Sequence, residues 1–378
     1  MAATLKLGDR QWATKEGSLL AYNDENNNFK PLPFDFTRAS SATRVNKQGL
    51  IETVASGVPR IDFTDANGAL LLEPQRTNLF TFSEDFSNAS WLKNQATVAI
   101  TSEIAPDGTT NSVYNYVGNN SNLYTTSQAT GVEYTISFYV KSNGQGADGF
   151  KFRLGNGYSA SLSATSEWVR HTFTATPTTS VFSIASDGEG DVNILVYGAQ
   201  LELGSYATSY IPTQGSAVTR IVDVCNNGGN DQVINSTEGV VYCEIASLAE
   251  TPETRSMLGI GVAGSSDNRV TIEYNIGVTN FIRGQVRTSS LQASIGYVVT
   301  SIKDFHKVAL VYQLNNIQLW IDGVKVGQDL GADVSSPNTI SSADFLNNNT
   351  NNFEGKCKGF RLYDTVLTDA ELQALTTI

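Results

Sequence analysis

"YTISFYVKS", Tyr134 to Ser142, sets Tyr134, Ile136, Phe138 and Val140 on one side of an extended chain and mostly polar residues on the other. Apolar residues at period two are the signature of a half-buried β-strand, because successive side chains of a strand point to opposite faces. The same rhythm returns in "GFKFRLGNG", "SASLSATSEWVRHTFTAT", "VFSIASDG" and "VNILVYGAQLEL", with Gly, Asn and Asp between the runs. Short strands at this spacing predict a β-sandwich or jelly roll over residues 79–213.

Outward from this middle unit the pattern changes twice. "PTQGSAVTRIVDVCNNGG" is rich in turn residues and predicts a linker over 214–230. Beyond it, residues 231–378 return to strands in "EGVVYCEIASL", "NRVTIEYN" and "HKVALVYQLNNIQLWIDGVKVG". There Asp322-Gly323 sits between two apolar runs, a two-residue hairpin signal because a type I′ turn needs positive φ at both central positions. Near the end, Thr368 and Glu371 have the spacing of a capping box before a short helix carrying Leu372 and Leu375. Upstream, residues 1–78 are irregular: "SLLAYNDENNNFKPLPFDF" mixes short apolar pairs with turn residues. Leu19, Leu20, Phe34 and Phe36 need burial there, which predicts a segment packed on another domain or chain, for attachment or oligomerisation.

Composition agrees with an all-β reading and narrows the partners. The chain has 378 residues, 10% aromatic and 16% charged, with 32 glycines. A formal charge of -12, with no basic stripe, argues against duplex nucleic acid. No apolar run approaches the roughly 20 residues of a membrane-spanning helix. "MAATLKLGDRQW" lacks the apolar centre of a signal peptide, so a soluble chain made in a cytosol is expected. Cys225, Cys243 and Cys357 are odd in number and widely spaced, predicting buried thiols rather than a metal site or a disulfide framework.

Three stretches carry a resemblance: "FDFTRASSATRVNKQGLIETVASGVPRIDF", "LLLEPQRTNLFTFSEDFSNASW" and "GAQLELGSYATSYIPTQGSAVTR". Together they resemble a module of bacteriophage virion proteins of the tail-fibre, head-fibre or spike type, over about residues 20–222. The middle of that module resembles carbohydrate-binding jelly rolls. Through "LWIDG" and "GFRLYDTVLTDAEL" the C-terminal unit resembles the laminin-G-like or concanavalin-like lectin sandwich. The resemblance implies a homotrimer assembled in the host cytoplasm and carried on the virion, with capsid or tail proteins and host surface polysaccharide as partners. "TRASSATRV" before the jelly roll and "SAVTRIV" after it are joints, with Arg38, Arg44 and Arg220 expected to hold interdomain or intersubunit contacts.

Little in the sequence points to catalysis. His171 and His306 flank strands without a nucleophile or ligand at motif spacing. The closely alternating acids that mark many glycoside hydrolases are missing from the C-terminal unit. Asp187, Glu189 and Asp191 alternate in a Gly-rich turn and offer hard oxygen ligands to a structural calcium ion, with a solvated acidic turn as the alternative. No other cofactor is expected. For stacking on a sugar ring the candidates are Trp91, Tyr124 and Tyr158, each beside Asn or Ser. Trp168 and Trp320 lie inside strand patterns and are assigned to cores. The expected function is non-enzymatic adhesion to host glycan, against a decoration protein without glycan binding or a polysaccharide depolymerase.

Overall fold

A computed structural model describes residues 2–21, 32–126, 128–188, 190–250, 256–262, 265–274, 277–347 and 351–378. Among the described residues the regular structure is β apart from one short helix, Asp369–Thr376. It forms two compact units. The first is Met1–Ser41, Val54–Pro74 and Ile221–Ile378; the second is Ala42–Thr53 with Gln75–Arg220.

The second unit is the expected jelly roll. Its nine-stranded antiparallel sheet places Tyr134–Ser142 between Asp191–Leu203 and Val169–Ala175. Tyr134, Ile136, Phe138 and Val140 are buried, as the period-two pattern requires, against Phe150, Phe152, Ile194 and Leu201. The opposite face is covered too. Thr135 and Ser137 are buried there, satisfied by Thr174 Oγ1 at 2.7 Å and Arg170 Nη2 at 2.9 Å, beside a smaller cluster of Tyr197, Tyr210 and Leu195. The strand is therefore central rather than half-buried.

Asp191–Leu203 serves both faces by changing phase. Val192, Ile194 and Val196 reach the main core, and after one extra residue Ala199 and Leu201 do so again. The shift is a β-bulge opposite Phe138, between the register pairs Ser137↔Gln200 and Tyr139↔Tyr197. Gly198 carries it at φ 61, a backbone conformation in which side chains are strained.

The first unit is a sandwich. Its larger sheet runs Val324–Asp329, Ile317–Ile321, His306–Gln313, Glu238–Ser247, Gly355–Tyr363, Ala69–Leu72, Arg60–Asp62. A five-stranded sheet from Leu291–Val298 to Ser342–Asp344 supplies the other side of the core, where Val241, Cys243 and Leu310 share one cluster with Leu258, Ile272 and Val286. The three cysteines are buried free thiols. Trp320 packs on the far face of the larger sheet with Leu367 and Leu372. Both local predictions hold: Asp322 and Gly323 have φ 50 and 82 between the paired residues Ile321 and Val324, and Thr368 with Glu371 closes the capping box.

The 1–78 stretch is not a separate irregular segment. Leu5–Gly8 pairs with Gly355–Tyr363, and Ala69–Leu72 pairs with the same strand farther along. Leu19, Phe34 and Phe36 are buried in the core of their own unit, so their apolarity does not call for a second chain. Nor is 214–230 a free linker: Val218–Arg220 pairs with Arg76–Asn78, and Val224–Asn226 with Leu32–Thr37. The boundary falls at Arg220/Ile221, inside "SAVTRIV", and another crossing falls at Ser41/Ala42, inside "TRASSATRV". Among the described residues no helix is long and apolar enough to cross a membrane.

Candidate functional site

The loop "FTFSEDFSNASW", Phe80 to Trp91, builds a cavity in the second unit. Phe80, Phe86 and Trp91 point into the core, with ring centroids 4.8 and 5.2 Å from Trp91 to Phe80 and Phe86. Trp91 Nε1 also donates to the Phe82 carbonyl at 2.7 Å. Asp85 and Asn88 close two tight turns by accepting from the backbone amides of Ser87 and Ser90 at 3.1 and 3.0 Å. With its apolar residues anchored below, the loop presents Phe82, Glu84 and Asp85 to a cavity of about 400 Å³. Tyr114, Asn111 and Thr213 also line it.

The two carboxylates differ in environment. Glu84 Oε1 accepts from the hydroxyls of Tyr210 at 2.8 Å and Tyr197 at 3.2 Å. Burial nevertheless pushes its carboxyl above the usual value, and burial raises both tyrosines as well. Asp85 moves the other way. The Ser87 hydroxyl at 2.5 Å, aided by Tyr114 at 3.0 Å, holds it below the ordinary carboxylate value. The lining has no lysine, arginine or histidine. Carboxylate, amide and hydroxyl groups around one aromatic edge accept and donate to vicinal hydroxyls, while the absence of a cation from the lining disfavours an anionic ligand.

The residues singled out from sequence are scattered around this site. Trp91 is 2% exposed, so its ring cannot stack on a sugar; it supports the cavity from beneath. Tyr124 is half-buried within Tyr114–Thr125. Tyr158 is 53% exposed, with the Arg153 guanidinium 5.4 Å from its ring centre. None of the three lines the cavity. Asp187 is paired with Lys151 at 2.7 Å and accepts from Ser161 at 2.9 Å, Asp191 accepts from Asn119 at 2.8 Å, and Glu189 lies outside the described residues. Among the described residues no group of three His, Cys, Asp or Glu is placed to hold a metal.

The arginines of the two joints are engaged within the units that carry them. Arg38 is buried on Asp223 at 3.0 Å, Arg44 pairs with Glu52 at 2.6 Å, and buried Arg220 donates to Ser209 at 3.0 Å. Glu84, Asp85 and Tyr114 are not distinguished by the sequence. "SED" has no special spacing, and Tyr114 reaches the loop only through the sheet.

No family model matches the chain, and no curated protein matches it. Solved structures resemble it weakly. The CBM40 of Ruminococcus gnavus IT-sialidase, bound to α2,3 sialyllactose, is 18% identical with a TM-score of 0.32, covering 40% of this chain and 94% of that one. Mouse laminin α1 chain domains LG4-5 are 9% identical at TM-score 0.27, covering 76% and 88%. The tandem CBM22-1–CBM22-2 domain of Paenibacillus barcinonensis Xyn10C is 12% identical at 0.27, covering 75% and 97%.

Proposed function

We propose that this chain is a glycan-binding protein of a bacteriophage fibre or spike, and that its second unit takes a neutral saccharide in the cavity formed by Phe82, Glu84, Asp85 and Tyr114. The carrying observation is the cation-free cavity with an aromatic edge and two carboxylates, Glu84 and Asp85, at its lining. A space of this size accommodates about one or two sugar rings. The virion setting, with a homotrimer and capsid or tail partners, rests on the resemblance of residues 20–222 to fibre and spike modules.

Binding rather than hydrolysis is the reading, since Asp85 is tied down by its turn and by Tyr114. The test is a glycan array on the full chain, followed by calorimetry with the best neutral oligosaccharide. Glu84→Gln and Tyr114→Phe should each weaken binding about tenfold, with melting little changed. A chain that binds no glycan but does bind capsid or tail protein is a decoration protein. Release of reducing ends from polysaccharide would make it a depolymerase. Light scattering on the same sample checks the trimer.

A further inference from the structure

The first unit carries a cavity of opposite character, about 450 Å³ in volume. Lys6, Arg10, Lys307, Lys358 and Arg361 all reach it, in a chain whose formal charge is -12. Two carboxylates, Asp9 and Glu244, share the lining. Some of the positive charge is answered locally: Arg361 forks onto Asp9 at 2.8 and 2.6 Å, and Lys358 pairs with Asp65 at 2.9 Å. Lys307 is different. Its Nζ donates to the Thr377 carbonyl at 2.7 Å; Glu244 is its cross-strand neighbour, but no ion pair closes onto Lys307 among the described residues. Arg10 is exposed, with neither hydrogen bond nor ion pair to any described residue.

The backbone that presents Arg10 is built under strain. Gly8, Asp9 and Arg10 have φ 86, 54 and 68, three successive residues in the left-handed region. Gly8 lies so close to the neighbouring strand that a Cβ would stand 2.3 Å from the Lys358 carbonyl oxygen. Strain of this kind persists where the surroundings impose it, and here it sets where the chain carries Arg10 at the cavity, its guanidinium exposed and without an ion pair among the described residues. Gly68, Ala374 and Leu375 alone among the lining residues lack a polar side chain, so the walls suit a hydrophilic ligand.

We infer that this cavity binds the carboxylate or sulfate group of an acidic saccharide, with Arg10 and Lys307 supplying the charge and Glu244 accepting ring hydroxyls. The choice of a saccharide among hydrophilic anions rests on the glycan-binding reading above; the anion site itself does not. The experiment titrates the full chain with oligogalacturonate, with its neutral methyl ester, and with inorganic sulfate. The acid should bind about tenfold or more tighter than the ester, and about 0.5 M salt should remove most of the difference. Arg10→Gln combined with Lys307→Gln should weaken acid binding by a similar factor without shifting the melting temperature.

Equal binding of acid and ester by the Glu84→Gln chain, in which the neutral-saccharide cavity is weakened, or a double variant that binds like the parent, would overturn the site. Sulfate binding as tightly as the acid would overturn the saccharide. The same samples titrated with neutral oligosaccharide report the Glu84 cavity separately, so loss of one response without the other assigns the failure to one reading.

Discussion

Asp223 receives two buried guanidinium groups, Arg38 on one oxygen and Arg60 on the other, while Arg60 also reaches Glu73 at 2.7 Å and the Glu73 amide donates to Asp223 at 3.0 Å. Removing one member of such a cluster leaves buried charge without a partner, so Asp223→Asn should cost about 3–5 kcal/mol in denaturant unfolding. Nothing in "TRASSATRV" signals this, because a buried ion pair has no local period and its acid lies 185 positions away. The two histidines give a second test. His306 is pulled down by burial, but the Asp322 carboxylate at 2.6 Å and the Ser301 carbonyl at 2.9 Å prevail and raise it above 6.5; burial lowers His171. Imidazole proton NMR should show them titrating on opposite sides of that value. A raised histidine stabilises fully below about pH 6.5 and loses that contribution as pH rises through its folded pKa. The stability gap between parent and His306→Gln should shrink in that direction. Among the aromatic candidates, Trp91→Ala should cost about 3–5 kcal/mol of stability. Tyr158→Ala should leave both melting and glycan affinity unchanged, since Tyr158 does not line the cavity; a fall in affinity of about tenfold would move the sugar to Tyr158.

Strands and turns were legible wherever their cause is local. The Asp322-Gly323 hairpin and the Thr368 cap are each decided by a few adjacent residues, and both formed. "YTISFYVKS" gave the correct strand and the correct core face, but period two says nothing about a polar face that is itself covered and hydrogen-bonded. The N-terminal strands were missed for another reason. Those that join the larger sheet are three or four residues long, and Leu5 finds its partner at Leu362, so neither length nor local pattern announces them. At this scale the bulge in Asp191–Leu203 is the feature to test. A Cβ on Gly198 would sit 3.1 Å from Tyr139 Cδ2 at φ 61, so Gly198→Ala should destabilise by about 1–2 kcal/mol in urea. An unchanged midpoint would mean that the bulge relaxes at no cost.

Domain order along the chain and domain identity in space differ here, because the first unit is sewn from three stretches. The excursions leave and return at neighbouring points of that unit. The Gly57 amide donates to the Arg38 carbonyl at 2.9 Å, spanning residues 42–53, and the Asp223 amide donates to the Glu73 carbonyl at 3.0 Å, spanning 75–220. A cut near 223–235 would therefore sever Leu5, Phe34 and Leu70 from the core they share with Val241 and Phe360, and the fragment 231–378 should not fold alone. The complementary deletion is the sharper test. Replacing 42–53 and 75–220 by short Gly-Ser turns asks the backbone only to close gaps that hydrogen bonds already bridge, and longer loops add little closure entropy. That chain should unfold in a single cooperative transition with Arg38, Arg60 and Asp223 still buried, read by calorimetry and by protection of their backbone amides. Aggregation of the shortened chain would show that the first unit does not fold without residues 42–53 and 75–220.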